Sequence, residues 1–79
     1  MTIDLTPYLP SQGPKYLAIA RALAEAIRQG ELTPGTRLPP HRCLADALAV
    51  SVQTVSRAYA QAEKMGLVQA RVGSGTWIN

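Results

Sequence analysis

The chain has no phenylalanine, one tryptophan, one histidine and one cysteine, and aromatic residues of all kinds make up only 5% of it. Its apolar content of 47% is therefore mostly aliphatic and rich in alanine, which implies closely spaced helices instead of a core of bulky rings. A single cysteine, Cys43, excludes an intrachain disulfide and any multi-cysteine metal site, and this fits a reducing compartment. His41 has no second ligand at metal-binding spacing, so no metal is expected. Long apolar runs are missing as well: nothing approaches the roughly 20 residues of a membrane span, and MTIDLTPYLP lacks the basic stretch and apolar run of a secretion signal. These absences predict a soluble, cytoplasmic protein with no membrane partner. Catalytic sets are also lacking. There is no Ser/His/Asp combination, no carboxylate pair at a cleft and no phosphate loop ahead of a helix, so neither an enzyme nor a bound cofactor is expected.

What remains is a small, mildly basic chain. Its 79 residues suffice for one domain that buries only about 60–65% of its unfolded surface, leaving little room for an enclosed active site. The net charge is +3 and the isoelectric point about 9.5. Distribution says more than the total. Between Thr33 and Ala62 the ionised residues are Arg37, Arg42, Asp46 and Arg57, whereas Asp4, Glu25, Glu31 and Glu63 all lie outside that stretch. A basic middle suits an anionic partner such as nucleic acid.

Residues 1–13, with Pro7, Pro10 and Gly13 and no sustained period, read as an extended or flexible arm, and residues 14–79 read as the domain. From Pro14, the apolar residues Tyr16, Ile19, Ala20, Leu23 and Ile27 recur at three- and four-residue steps and predict a helix that stops at Gly30. Pro34-Gly35 suits a type II turn, and Arg37-Leu38 reads as a very short strand. A second helix is expected over about 40–48, burying Leu44, Ala45 and Leu48. After Gly66 the alternation of Val68, Ala70 and Val72 against Gln69 and Arg71, a Gly73-Ser74-Gly75 turn and Thr76-Trp77-Ile78 predict a β-hairpin. Trp77 and Tyr59 are expected to pack hairpin and helix onto the core, Cys43 to be partly buried and His41 to be solvated. There is no internal repeat and no linker to a second domain.

The stretch from Val50 to Leu67 is the most informative. At about 100° per residue, Val55, Ala58, Tyr59 and Ala62 line one side of a helix, and Gln53, Arg57, Ala60 and Lys64 line the other. Ser51 is placed to cap its start and Gly66 to end it in a left-handed conformation. One face is built to bury. The other offers amide, hydroxyl and guanidinium groups beside an exposed N-terminus, as a helix that reads base edges and phosphates does. The order helix, helix-turn-helix, hairpin gives the fold class: mainly α with a small β-hairpin, a winged helix-turn-helix of three helices plus wing.

Those residues resemble the N-terminal DNA-binding domain of the GntR family of bacterial transcription regulators. The likeness spans Pro14 to Ile78 and rests on Ile27-Arg28-Gln29-Gly30, Leu32-Thr33-Pro34-Gly35, Arg37-Leu38-Pro39, the segment from Arg42 to Leu48, Val50-Ser51, Thr54-Val55, Gly66-Leu67 and Gly73-Ser74-Gly75-Thr76. Leu38-Pro39-Pro40, Arg57-Ala58-Tyr59 and the Gly-Ser-Gly-Thr run look most like the MocR branch, in which this domain is fused to an aminotransferase-like, pyridoxal-phosphate-binding domain. The effector portion is expected to be absent from this chain. The resemblance implies a double-stranded DNA operator as partner, bound by a homodimer. It implies operator contacts from Arg42 and the first turn of the third helix, with Arg42 on phosphate and Ser51, Val52, Gln53, Thr54 and Arg57 at base edges or adjacent phosphate. Arg71, Gly73 and Ser74 belong to the wing, which reaches the neighbouring minor groove. Arg37 reads instead as a structural or general electrostatic residue.

Three positions depart from the family pattern. Val52 stands where many members have Arg and offers methyl groups suited to thymine; Ala49 replaces a usual Gly; Pro40-His41 replaces a segment that often holds a Ser cap. Two other readings are a winged-helix module that docks on a protein, which predicts salt-insensitive binding, and the DNA-binding part of a MocR-type pyridoxal-phosphate-responsive regulator.

Overall fold

The computed structural model describes residues 14–71, 73 and 75–79, so the expected N-terminal arm, Val72 and Ser74 lie outside the described residues. Three helices come first, α1 (Lys15–Arg28), α2 (His41–Leu48) and α3 (Val52–Lys64), then the strands β1 (Val68–Arg71) and β2 (Gly75–Ile78). Pro14 and Pro40 stand at the position just before the first helical residue of α1 and α2 and make no side-chain capping bond there. The strands form an antiparallel hairpin in the register Val68 with Ile78, Gln69 with Trp77, Ala70 with Thr76 and Arg71 with Gly75. The expected short strand is present as a single bridge, Arg37 with Trp77, on the other edge of β2.

Alanine sets the helix packing. α1 contributes Ala18, Ala20, Ala22 and Ala26 to the buried set, and α3 contributes Ala58 and Ala62, so the two backbones approach closely along their most extensive contact. Larger chains close the rest: Ile19, Leu23, Leu32, Leu38, Leu44, Val55, Tyr59, Val68 and Ile78 form one core with Ala22, Ala26, Ala45, Ala58 and Ala62. Full burial of each leucine or isoleucine contributes about 1.5–3 kcal/mol. The buried residues of α3 are Val55, Ala58, Tyr59 and Ala62, the stripe expected from periodicity. Tyr16, Ile27 and Leu48 are only partly buried at the margin of the core.

All three helices stop the same way. In each, the N–H of the residue that follows the left-handed position returns to the carbonyl five residues before it: Glu31 to Ala26, Val50 to Ala45 and Leu67 to Ala62. Gly30 (φ 82°) and Gly66 (φ 77°) take the left-handed position after α1 and α3 without steric cost, but after α2 the same position is filled by Ala49 at φ 57°. The family's left-handed turn is thus retained with a side chain present. The Thr33 to Thr36 turn closes through Thr36 N–H to the Thr33 carbonyl at 3.1 Å, with Gly35 at φ 86°, as expected of a type II turn.

Candidate nucleic-acid interface

The helix-turn-helix is held together by Tyr59 and His41. Tyr59, buried in α3, donates its hydroxyl to the Pro39 carbonyl at 2.8 Å, and its burial raises its pKa above the ordinary tyrosine range, so the phenol stays un-ionised. The His41 ring meets Tyr59 edge-on at 4.8 Å, and its Nδ1 shares a 3.0 Å hydrogen bond with the Ser56 hydroxyl. His41 is therefore not the free, solvated side chain expected, because the start of α2 lies directly against α3. Cys43 also differs: it is exposed, since its helical phase turns it away from the side that buries Leu44 and Ala45.

At the start of α3, the Ser51 hydroxyl accepts the Thr54 N–H at 3.1 Å and lies 2.8 Å from the Thr54 hydroxyl. The cap satisfies one of the helix's four free N-terminal donors. It also occupies two of the expected DNA-contacting side chains with each other. Beside them Val52, 44% exposed, and Gln53 project into solvent from the first turn. Arg42 is exposed in the first turn of α2, where no side chain caps the helix. Among the described residues its guanidinium has no acidic partner, since the one ion pair there joins Arg28 to Glu25 in α1, whose bonds hold the Glu25 carboxyl below its ordinary pKa. A cation at a helix N-terminus works against the helix dipole, so Arg42 gains nothing from its own helix.

Arg57 is exposed on the same side of α3 as Gln53, but its guanidinium lies over the ring of Tyr16 in α1, 4.3 Å from the centroid. The ring holds the charge in place. Tyr16 was expected only as a core residue; periodicity places it on the buried side of α1 but says nothing of a partner forty residues away. Glu63 is a second residue that sequence reasoning passed over. Its carboxylate accepts the Ala70 N–H at 3.1 Å and so ties the end of α3 to the open edge of β1. Between α3 and the hairpin runs an open groove of about 220 Å³, lined by His41, Ser56, Ala60, Glu63 and Thr76 among others.

In the wing, Val68 and Ile78 enter the core, so by the two-residue alternation of strands Gln69, Arg71 and Trp77 stand on the outer face. Trp77 is consequently half-buried among polar neighbours instead of packed on the core, and its indole N–H has no hydrogen-bond partner among the described residues. Arg71 and Gly73 are exposed; Ser74 lies outside the described residues. Arg71, Arg42 and the first turn of α3 are thus presented from three separate elements. Among the described residues no cluster of three or more His, Cys, Asp or Glu is placed to hold a metal, and no helix is long and apolar enough to cross a membrane.

A helix-turn-helix whose second helix presents an exposed first turn, followed by a hairpin against that helix, defines a winged helix-turn-helix domain. Residues 15–78 match the profile of the gntR family of bacterial regulatory proteins, and the chain belongs to that family. It is 46% identical over 69 residues to the uncharacterized HTH-type transcriptional regulator YdeF of Bacillus subtilis, matching 87% of this chain and 15% of that protein. With the probable rhizopine catabolism regulatory protein MocR of Rhizobium meliloti it shares 38% identity over 65 residues, 82% of this chain and 13% of the relative. The chain therefore spans only a small part of the length of these relatives. Among solved structures, YtrA from Sulfolobus acidocaldarius, a GntR-family transcription factor, superposes with a TM-score of 0.82 at 35% identity, over 99% of this chain and 78% of that one. AraR(DBD) in complex with operator ORR3 superposes with a TM-score of 0.78 at 27% identity, over 90% and 88%.

Proposed function

We propose that residues 14–79 bind double-stranded DNA sequence-specifically, with the first turn of α3 in the major groove. The observation that carries this reading is the two-sided character of α3. Val55, Ala58, Tyr59 and Ala62 fix one side in the core, so Val52 and Gln53 are held outward at the start of a capped helix. Gln53 suits an adenine edge and Val52 a thymine methyl. Arg42, beside the uncapped start of α2, is assigned to phosphate. Arg57, stacked on Tyr16, is assigned to phosphate rather than to a base, because its position is set by α1 and its N–H edge remains free. Ser51 and Thr54 act first by shaping the helix start. Arg71, Gly73 and Ser74 are assigned to the wing contact in the adjacent minor groove.

The domain measures 30 Å in its longest dimension, close to the roughly 34 Å of one duplex turn. One copy therefore covers about a half-site, and we assign a homodimer on a palindromic operator as the bound form. The operator complex of AraR(DBD) supports the DNA partner. The likeness to MocR supports a place for this domain in a longer, MocR-type regulator; an effector response is not assigned to these residues. A cytoplasmic, non-catalytic regulator fits the family.

The test is selection of bound duplexes from a random pool, followed by titration across salt concentrations. A defined motif is expected, with the log of affinity falling against log salt by about 0.9 for each neutralised phosphate. Salt-insensitive binding without preference for duplex DNA would replace this reading with a protein-docking module.

A further inference from the structure

On the outer face of the wing, Arg37 and Arg71 both lie over the ring of Trp77, their guanidinium carbons 5.9 and 5.5 Å from its centroid. They reach it from opposite sides of β2, Arg71 from β1 and Arg37 from the bridge on the far edge. The Arg37 guanidinium also occupies space left by Gly75: a Cβ there would stand 3.0 Å from its Nε and 3.3 Å from one Nη. The arginine is thus seated by both a ring and a missing side chain. Two cations at one ring repel each other, and the ring quadrupole attracts each only weakly when exposed. Among the described residues no carboxylate pairs with either of them. The fold fixes this pair of charges and leaves it unneutralised, which favours an anion from outside.

We infer that Arg37 and Arg71, mounted on Trp77, form a two-guanidinium clamp for a backbone phosphate of duplex DNA beside the groove the wing enters. This rests on the DNA-binding reading above and adds Arg37, which sequence alone gives only a structural or general electrostatic role. Stacked guanidiniums keep their N–H edges free, and those edges match phosphate oxygens in pairs. A phosphate contact positions the protein without reading sequence, so the clamp adds affinity and salt dependence equally on every duplex.

The experiment measures binding of the chain to a selected duplex and to a random duplex of equal length over a KCl series, for wild type, Arg37→Gln, Arg71→Gln and the double variant. Arg21→Gln, an exposed arginine of α1, controls for net charge. Each wing substitution is expected to flatten the log–log salt slope, and the double variant to flatten it by about 0.9 in all, the value for the one phosphate held, with about fivefold weaker binding of the double variant at moderate salt. The selected-to-random ratio should hold, and Trp77, the only tryptophan, should change its emission when DNA binds. A double variant with the wild-type slope overturns the clamp while leaving DNA binding intact, and a collapsed ratio overturns it by showing base readout. If wild type binds no duplex, the underlying reading fails first. Should Arg37→Gln not fold by circular dichroism, Arg71→Gln, which does not fill the space at Gly75, carries the same slope test.

Discussion

Where α1 meets α3, one guanidinium lies over one ring, Arg57 over Tyr16 at 4.3 Å, whereas in the wing two guanidiniums share Trp77 at 5.9 and 5.5 Å. The first ring stands at the edge of an alanine-tight helix contact; the second stands on a two-stranded hairpin, anchored in the core through Val68 and Ile78. Backbone bonds hold the hairpin from the other edge, with Leu38 N–H to Thr76, Ile78 N–H to Thr36 and Gly35 N–H to Ile78. A helix that reads bases must keep its side chains in register with them, and burial of Val55, Ala58, Tyr59 and Ala62 holds α3 to that geometry. A contact to a sugar–phosphate chain carries no sequence information, so on the proposed reading the wing has only to present its seated charges.

The contrast breaks most completely if the shared core is removed. Leu23→Ala, at a fully buried position of α1, should cost about 2–5 kcal/mol, a large part of the stability of so small a domain. Thermal unfolding followed by helical circular dichroism and by Trp77 emission should then show both regions melting together and earlier. Ser51→Ala acts on the reading helix alone and should cost about 1 kcal/mol in denaturant titration. Ala49→Gly works in the opposite direction, because glycine relieves the left-handed strain after α2, and should stabilise by about 0.5–1 kcal/mol. Smallest is the effect of the tie between the two regions: Glu63→Ala should weaken binding to the selected duplex a few-fold, and Glu63→Gln, which loses the same charge but keeps an acceptor for Ala70, should not.

pH probes the same packing. The folded-state pKa of Tyr59 lies above its unfolded value, so the associated stability is complete below about pH 10 and is lost as pH rises further. Denaturation midpoints between pH 7 and 11 should fall more steeply for wild type than for Tyr59→Phe, which has no phenol to ionise.

Much of the helical half was legible because its signals are local. The buried stripe of α3, the Ser51 cap and the Gly66 stop each depend on residues within one or two turns. The hairpin was legible through alternation and a glycine-rich tip. What the sequence could not place were side chains whose partners lie far along the chain. His41 found Ser56, Arg57 found Tyr16, Glu63 reached Ala70, and Trp77 faced two arginines instead of the core. Periodicity fixes the face a residue occupies, but which neighbour meets that face is decided by tertiary packing. Arg37 is the clearest case, since its seat exists only once Gly75 and Trp77 are brought alongside.

The most direct test of α3 as the reading element is Gln53→Ala, compared with wild type on the selected duplex and on a scrambled one. Loss of a base-edge contact should weaken the selected complex by about tenfold or more while leaving the scrambled one unchanged. Equal loss on both duplexes, or none on either, would contradict the assignment of α3 to base recognition.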